Sequence, residues 1–175
     1  TMRLLDVGGG FAAPYARPGL RPHYSRLRDG LAKLLDRHFP GWMEGRPQVA
    51  VESGRYLVAD CGTLVTRVLD LKTSHGRRFA VVDAGINQLG GMSALRRVLP
   101  MAAQPDQAID DAQRPATDLA GPLCTPGDLL GRNVVLPPDT AIGDLLTVPN
   151  VGAYGLTASL IAFLGHPVAA EIVVD

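Results

Sequence analysis

Lysine is nearly missing from this chain. Only Lys33 and Lys72 stand among its seventeen basic residues, and the rest are arginine, a compositional habit rather than a function. Cysteine is equally scarce: Cys61 and Cys124 are too few and too far apart for a disulfide framework or a zinc knuckle. No excess of one charge exists, since seventeen acidic residues balance seventeen basic ones. That removes a general electrostatic grip on nucleic acid or anionic lipid. No apolar run is long enough to span a bilayer, and no charged-then-apolar start suggests a signal peptide. The expectation is a cytoplasmic protein with reduced thiols, bound to neither nucleic acid nor membrane.

What is present is a chain of 175 residues, 46% hydrophobic and 19% charged, enough for one full core or two smaller ones. Leu4-Leu5-Asp6-Val7 reads as a short strand that leaves through Gly8-Gly9-Gly10. After a Pro-rich connection, Leu27, Leu31, Leu34 and Leu35 recur at helical spacing within 24–37, and the segment 38–41 ends that helix. Residues 47–52 read as a second strand. Strand, glycine loop, helix and strand make one βαβ unit, whose strands should be parallel. Beyond it, 64–71, 78–83, 133–136, 144–148 and 170–174 are β-rich runs separated by turn residues, the pattern of an antiparallel sandwich or barrel. Residues 102–120 read as an irregular connection. The expected architecture is therefore α/β plus all-β.

Several short motifs carry chemistry. In parallel α/β folds a glycine run at a strand's C-terminal end can close backbone amides around phosphate oxygens; it can equally be a tight turn. Glu52-Ser53-Gly54-Arg55 follows the second strand, so it should share a face with the glycines. This pair offers either a surface ion pair or a bidentate phosphate contact beside a carboxylate for a protonated ring nitrogen. Cys124 sits in the turn-rich Gly121-Pro122-Leu123-Cys124-Thr125-Pro126-Gly127-Asp128, a setting that suits a site better than a core; Cys61 reads as packing. Tyr154, between Ala153 and Gly155, can reach a phosphate or fill a corner. His166 has no second ligand near it in sequence, and no metal site is expected.

Taken in order, GGGF, ESGRYLVADCGTLVTRV, FAVVDAGIN, GPLCTPGD and VGAYGLTAS resemble the fold-type III pyridoxal-phosphate decarboxylases, the ornithine/diaminopimelate/arginine decarboxylase group. The resemblance runs from about residue 3 to the end of the chain. It implies that residues 1–55 are the C-terminal remnant of a (β/α)8 barrel like that of alanine racemase, and that 56–175 are the β domain. By the same resemblance Gly8, Gly9 and Gly10 cradle the phosphate of pyridoxal 5'-phosphate. Glu52 pairs with its pyridine nitrogen, and Arg55 and Tyr154 lie at its phosphate. Cys124 acts near the substrate Cα across the interface of a homodimer. Ser53 stands where the family's E-P-G-R motif has Pro.

The implied reaction is loss of CO₂ from an amino acid, with the cofactor ring storing the charge left at Cα. A carboxylate at the ring nitrogen favours decarboxylation over racemisation, because the racemases of this fold place Arg there. The alternatives are such a racemase, or a regulatory protein that kept the fold and lost the chemistry. Two departures bear on substrate. The stretch 87–95 lacks the R-P-x-L-Y segment of diaminopimelate decarboxylases, and Thr125 rather than Glu follows Cys124. CTPGDLLG and the segment 152–174 instead resemble a branch from secondary-metabolite and exopolysaccharide clusters, some of whose members act on a carrier-bound amino acid. Neither Lys33 nor Lys72 matches the lysine that holds the cofactor in this family. The expectation is a C-terminal fragment of a longer enzyme, with the cofactor absent or weakly held and the fragment alone inactive.

Overall fold

Leu4–Asp6 (β1) and Gln48–Ala50 (β2) pair in parallel, with Leu4 opposite Gln48 and Asp6 opposite Ala50. The computed structural model describes residues 2–90 and 102–174. Parallel neighbours need a crossover of a dozen residues or more, and α1 (Ser25–His38) provides it. Leu35 is buried and Leu31 half-buried, whereas Leu27 and Leu34 remain exposed. The βαβ unit expected from the spacing is therefore formed. A feature outside that expectation is α2 (Gly54–Val58), a short helix that starts directly after Ser53.

The chain divides into two compact units. The first holds the segment ending at Ala13 together with Leu20–Leu57, and the second holds Pro14–Gly19 together with the chain from Val58 onward. The second unit is a five-stranded sheet of order β6-β5-β4-β3-β7. Its strands are β3 (Leu64–Ser74), β4 (Arg77–Val82), β5 (Thr117–Ala120), β6 (Leu129–Val134) and β7 (Leu145–Val148). The long β3 serves two partners. Its first half pairs with β7 and its second half with β4, and the β4 register shifts between Val68 and Asp70. An irregularity of this kind bends a strand and raises its twist, which curls the sheet around Val68, Val82, Leu119, Leu130, Leu146 and Val148, all buried.

Four expectations need correction. The sheet is mixed rather than an antiparallel sandwich or barrel, because β5 runs parallel to β4. β5 itself lies inside the segment read as irregular. Thr117, Asp118 and Leu119 are all buried, so the strand has no alternating pattern to betray it. Finally, β6 covers 129–134 rather than 133–136, and the run Ala170–Val174 forms no strand: Ile172, Val173 and Val174 are 83%, 94% and 84% exposed. β propensity without a paired edge or a buried face does not make a strand.

Polar Asp118 is tolerated in the core because its carboxylate is fully used. It takes the Arg77 guanidinium on one oxygen and the Asn133 amide on the other at 3.1 Å. The pair ties the start of β4 to β5 and to β6. Asp118→Ala leaves the Asn133 amide without its acceptor and is expected to lower stability by about 2–3 kcal/mol. Arg77→Ala leaves a buried carboxylate oxygen without its donor and is expected to cost more, about 3–5 kcal/mol. Urea denaturation of both variants checks the order, and equal midpoints for wild type and Asp118→Ala would refute the role.

Candidate functional site

In the first unit, Gly8, Gly9 and Gly10 leave β1 beside the end of β2. Two different physical reasons require glycine. Gly8 and Gly10 adopt φ of +78° and +87°, where an L side chain is strained, yet open space surrounds both. Gly9 is instead squeezed: a Cβ there would lie 2.6 Å from the Glu52 carbonyl oxygen. The closeness follows from pairing that continues past the strands, with Val7 N–H donating to the Ala50 carbonyl at 3.0 Å and Glu52 N–H to the Gly8 carbonyl at 2.8 Å. So the glycine loop and Glu52 are brought together, as their shared face predicts, and Arg55 follows in α2.

The loop's own amides are partly spent. Gly8 N–H donates to Asp6 Oδ1 at 2.8 Å, and Ala12 N–H to the Tyr24 hydroxyl oxygen at 2.7 Å. Between them the successive amides of Gly9, Gly10 and Phe11 have no partner among the described residues. Consecutive free N–H groups in a backbone of alternating handedness form an anion-binding concavity. Its far side is held by aromatic packing that the sequence reading missed. The Phe11 ring meets Tyr24 edge-on at 5.4 Å, Tyr24 lies 5.5 Å from Tyr56, and the Arg21 guanidinium sits 5.4 Å above Tyr56. Glu52 is exposed, Arg55 half-buried, and the two form no ion pair with each other, so the surface-pair reading of this motif fails among the described residues.

In the second unit, three motif loops are joined by hydrogen bonds. At the end of β4, Asp83 accepts from the Thr66 hydroxyl at 2.6 Å and from Arg67 N–H at 2.8 Å, which fixes the start of the loop 84–90. Ile86 N–H in that loop donates to Asp128 Oδ1 at 2.7 Å, and Leu123 N–H donates to Asp128 Oδ2 at 2.7 Å. The same loop holds the Tyr154 segment. Leu160 N–H donates to the Ile86 carbonyl, Gly90 N–H to Ser159 Oγ, and Ser159 Oγ–H to the Gly155 carbonyl at 2.6 Å. The loops that carry Cys124 and Tyr154 thus share one scaffold. Asp128 and Ser159 were not singled out from sequence, although both lie within the quoted motifs. Asn87 is buried with neither side-chain amide atom hydrogen-bonded. Gly91 to Leu95 of the departing stretch lie outside the described residues.

Cys124 is exposed in this loop and is not a core residue. Cys61 is exposed too, which corrects its reading as a packed residue, although its Sγ lies 2.7 Å from where a Gly152 Cβ would be. Tyr154 is 46% exposed and has φ of +61°, a conformation that costs a non-glycine residue about 1–2 kcal/mol. Its carbonyl accepts the Tyr15 hydroxyl at 3.2 Å. Next to it, Asn150 accepts Ala16 N–H on its carbonyl and donates its side-chain amide to the Arg17 carbonyl at 2.8 Å. The segment that follows the glycine loop in sequence is therefore built into the second unit's core, where Ala16 is buried.

The two glycine constraints separate experimentally. Gly9→Ala must push the Glu52 carbonyl away, and is expected to cost about 1–3 kcal/mol and to speed hydrogen exchange of the Glu52 amide. Gly8→Ala is expected to cost about 1–2 kcal/mol through backbone strain alone and to leave that amide protected. Exchange of the Glu52 amide read by NMR distinguishes them, and identical behaviour of the two variants would refute the distinction.

Comparison with known proteins agrees with the motifs. The family model described as pyridoxal-dependent decarboxylase, C-terminal sheet domain, matches residues 25–152. The L-glutamyl-[BtrI acyl-carrier protein] decarboxylase of Niallia circulans is 36% identical over 96% of this chain and 40% of its own length. The diaminopimelate decarboxylase of Vibrio cholerae is 35% identical over 99% of this chain and 39% of its own. The crystal structure of AQ1208 from Aquifex aeolicus superposes with a TM-score of 0.75 at 29% identity, covering 98% of this chain and 39% of that one. The chain spans about two fifths of the length of the curated relatives it matches. With the family model covering most of the chain, this chain belongs to the pyridoxal-dependent decarboxylase C-terminal sheet domain family.

Proposed function

We propose that the protein carrying this chain is a pyridoxal-phosphate-dependent amino-acid decarboxylase, a carboxy-lyase of the cytoplasm. On this reading residues 1–55 are the tail of an alanine-racemase-like barrel and 56–175 the C-terminal domain. Support comes above all from the run of three unpaired amides, Gly9 to Phe11, at the end of a parallel strand beside Glu52. A phosphate fits there: the donors are consecutive, two positive φ angles shape them, and no side chain fills the space at Gly8 or Gly10. Pyridoxal phosphate, when bound, supplies an electron sink for the pair released as CO₂ leaves.

This chain's own residues then have separate tasks. The amides of Gly9, Gly10 and Phe11 bind the phosphate, and Arg55 adds charge to it. The exposed Glu52 carboxylate holds a proton at the pyridine nitrogen, which deepens the sink. The Cys124 thiol carries a proton near the substrate Cα, in the site of the other subunit of a homodimer. Lys33 lies exposed on α1 and Lys72 exposed in β3, so the lysine that holds the cofactor comes from outside these residues.

The substrate reading is an amino acid, and a carrier-bound one is a second form of it. The Niallia circulans relative is named for a carrier-protein-bound glutamyl substrate, and Thr125 follows Cys124 where diaminopimelate decarboxylases place Glu. Incubating the full-length protein and pyridoxal phosphate with free and carrier-bound amino acids tests both. CO₂ release without epimerisation at Cα is expected, and racemised substrate without CO₂ would overturn the decarboxylase assignment. Glu52→Ala is expected to lower kcat about 10²-fold, and the 175 residues alone are expected to release no CO₂.

A further inference from the structure

We infer that Asp128 is the positioning residue for Cys124, an inference that rests on the role proposed above for that thiol. Asp128 is 3% exposed, and a carboxylate so buried must have its oxygens satisfied. One oxygen accepts Ile86 N–H and the other Leu123 N–H, both at 2.7 Å. The backbone of the same residue closes the turn: its carbonyl accepts Gly121 N–H at 2.9 Å, and its N–H donates to the Thr125 carbonyl at 3.1 Å. Leu123 and Thr125 flank Cys124, so both shoulders of the thiol's turn are fixed to one residue. The bond to Ile86 fixes that turn to the loop leaving β4.

The surroundings show that the site is built around this carboxylate. A Cβ on Gly85 would lie 2.7 and 2.8 Å from its two oxygens, and a Cβ on Gly121 would collide with the carboxyl group outright. Both glycines therefore leave room for the anion. Glutamate adds a methylene that this space does not hold. Asparagine offers one acceptor and turns an NH₂ toward a backbone N–H, so one of the two charge-assisted anchors is lost. A purely structural aspartate would need to hold only its own hairpin; this one grips the residues on each side of Cys124 and a separate loop as well.

The first measurement needs no variant. In the wild-type protein the Ile86 and Leu123 amides, although in loops, are expected to exchange slowly with solvent deuterium, and exchange at free-loop rates overturns the proposal. The second uses Asp128→Asn in the full-length, pyridoxal-phosphate-loaded protein, with iodoacetamide alkylation of Cys124 and Cys61 read separately by mass spectrometry. The exposed Cys61 is the internal reference. Alkylation of Cys124 relative to Cys61 is expected to rise about fivefold as its turn loosens, while kcat falls about tenfold, KM stays within about twofold and the cofactor's absorbance is unchanged. An unchanged Cys124/Cys61 ratio in folded Asp128→Asn sinks the inference. If wild type released no CO₂ the decarboxylase reading would fail, and the alkylation ratio would still decide the role of Asp128.

Discussion

A buried carboxylate is costly unless each oxygen finds a donor, and the second unit is arranged around meeting that condition at Asp128. Its two oxygens draw in amides from two separate loops. Through Ile86 and Gly90 the loop after β4 also holds the Tyr154 segment. Remove the anion and the Cys124 loop loses its side-chain tie to the loop after β4, which still holds the Tyr154 segment. The small residues nearby follow from it: Gly85 and Gly121 are glycines because the carboxylate occupies the space their side chains would need. Asp118 repeats the device at β5, and the exposed Asp83 accepts two donors on one oxygen at the end of β4. Three aspartates thus tie strands and loops of the second unit together.

The first unit is governed by a different constraint, the closeness of two parallel strand ends. Continuing the pairing of β1 and β2 to Gly8 and Glu52 puts the Glu52 carbonyl where any side chain on Gly9 would have to be. The glycines on either side are needed for their backbone angles, and those angles turn successive amides to one side without partners. Aromatic packing at Phe11, Tyr24 and Tyr56 then fixes the loop's exit. Three glycines in a row thus have two local causes. A concave set of free donors is the consequence of both.

Periodicity made α1 legible because leucines at helical spacing leave one dominant reading, and the short strands flanking it followed from the need to return in parallel. The hairpin of β3 and β4 was legible for the same kind of reason, two β-rich runs about a turn signal. β5 was not. Its four residues include a threonine and an aspartate, and only the Arg77 and Asn133 partners make that aspartate tolerable in a core. The opposite error arose at 170–174, where β-prone residues have no strand beside them. The glycine loop and its neighbour Glu52 were placed together by strand topology alone. Asp128, Ser159 and Tyr15 carried no such signal, since Ile86 lies 42 positions from Asp128, Gly90 69 from Ser159 and Tyr154 139 from Tyr15.

By itself the sequence determined the local elements and the order of the motifs: the βαβ unit, the glycine run, the Glu52–Arg55 turn and the cysteine loop. Spacing within a dozen residues is enough for these, because a helix or a strand end places neighbours by its own geometry. Tertiary structure alone decided that the sheet is mixed, that Asp118 and Asp128 belong inside it, and that the loops of Cys124 and Tyr154 share one scaffold. Those outcomes depend on which distant amides reach a buried carboxylate. A linear pattern of polar and apolar residues does not contain that pairing, because an aspartate reads as polar until its donors surround it.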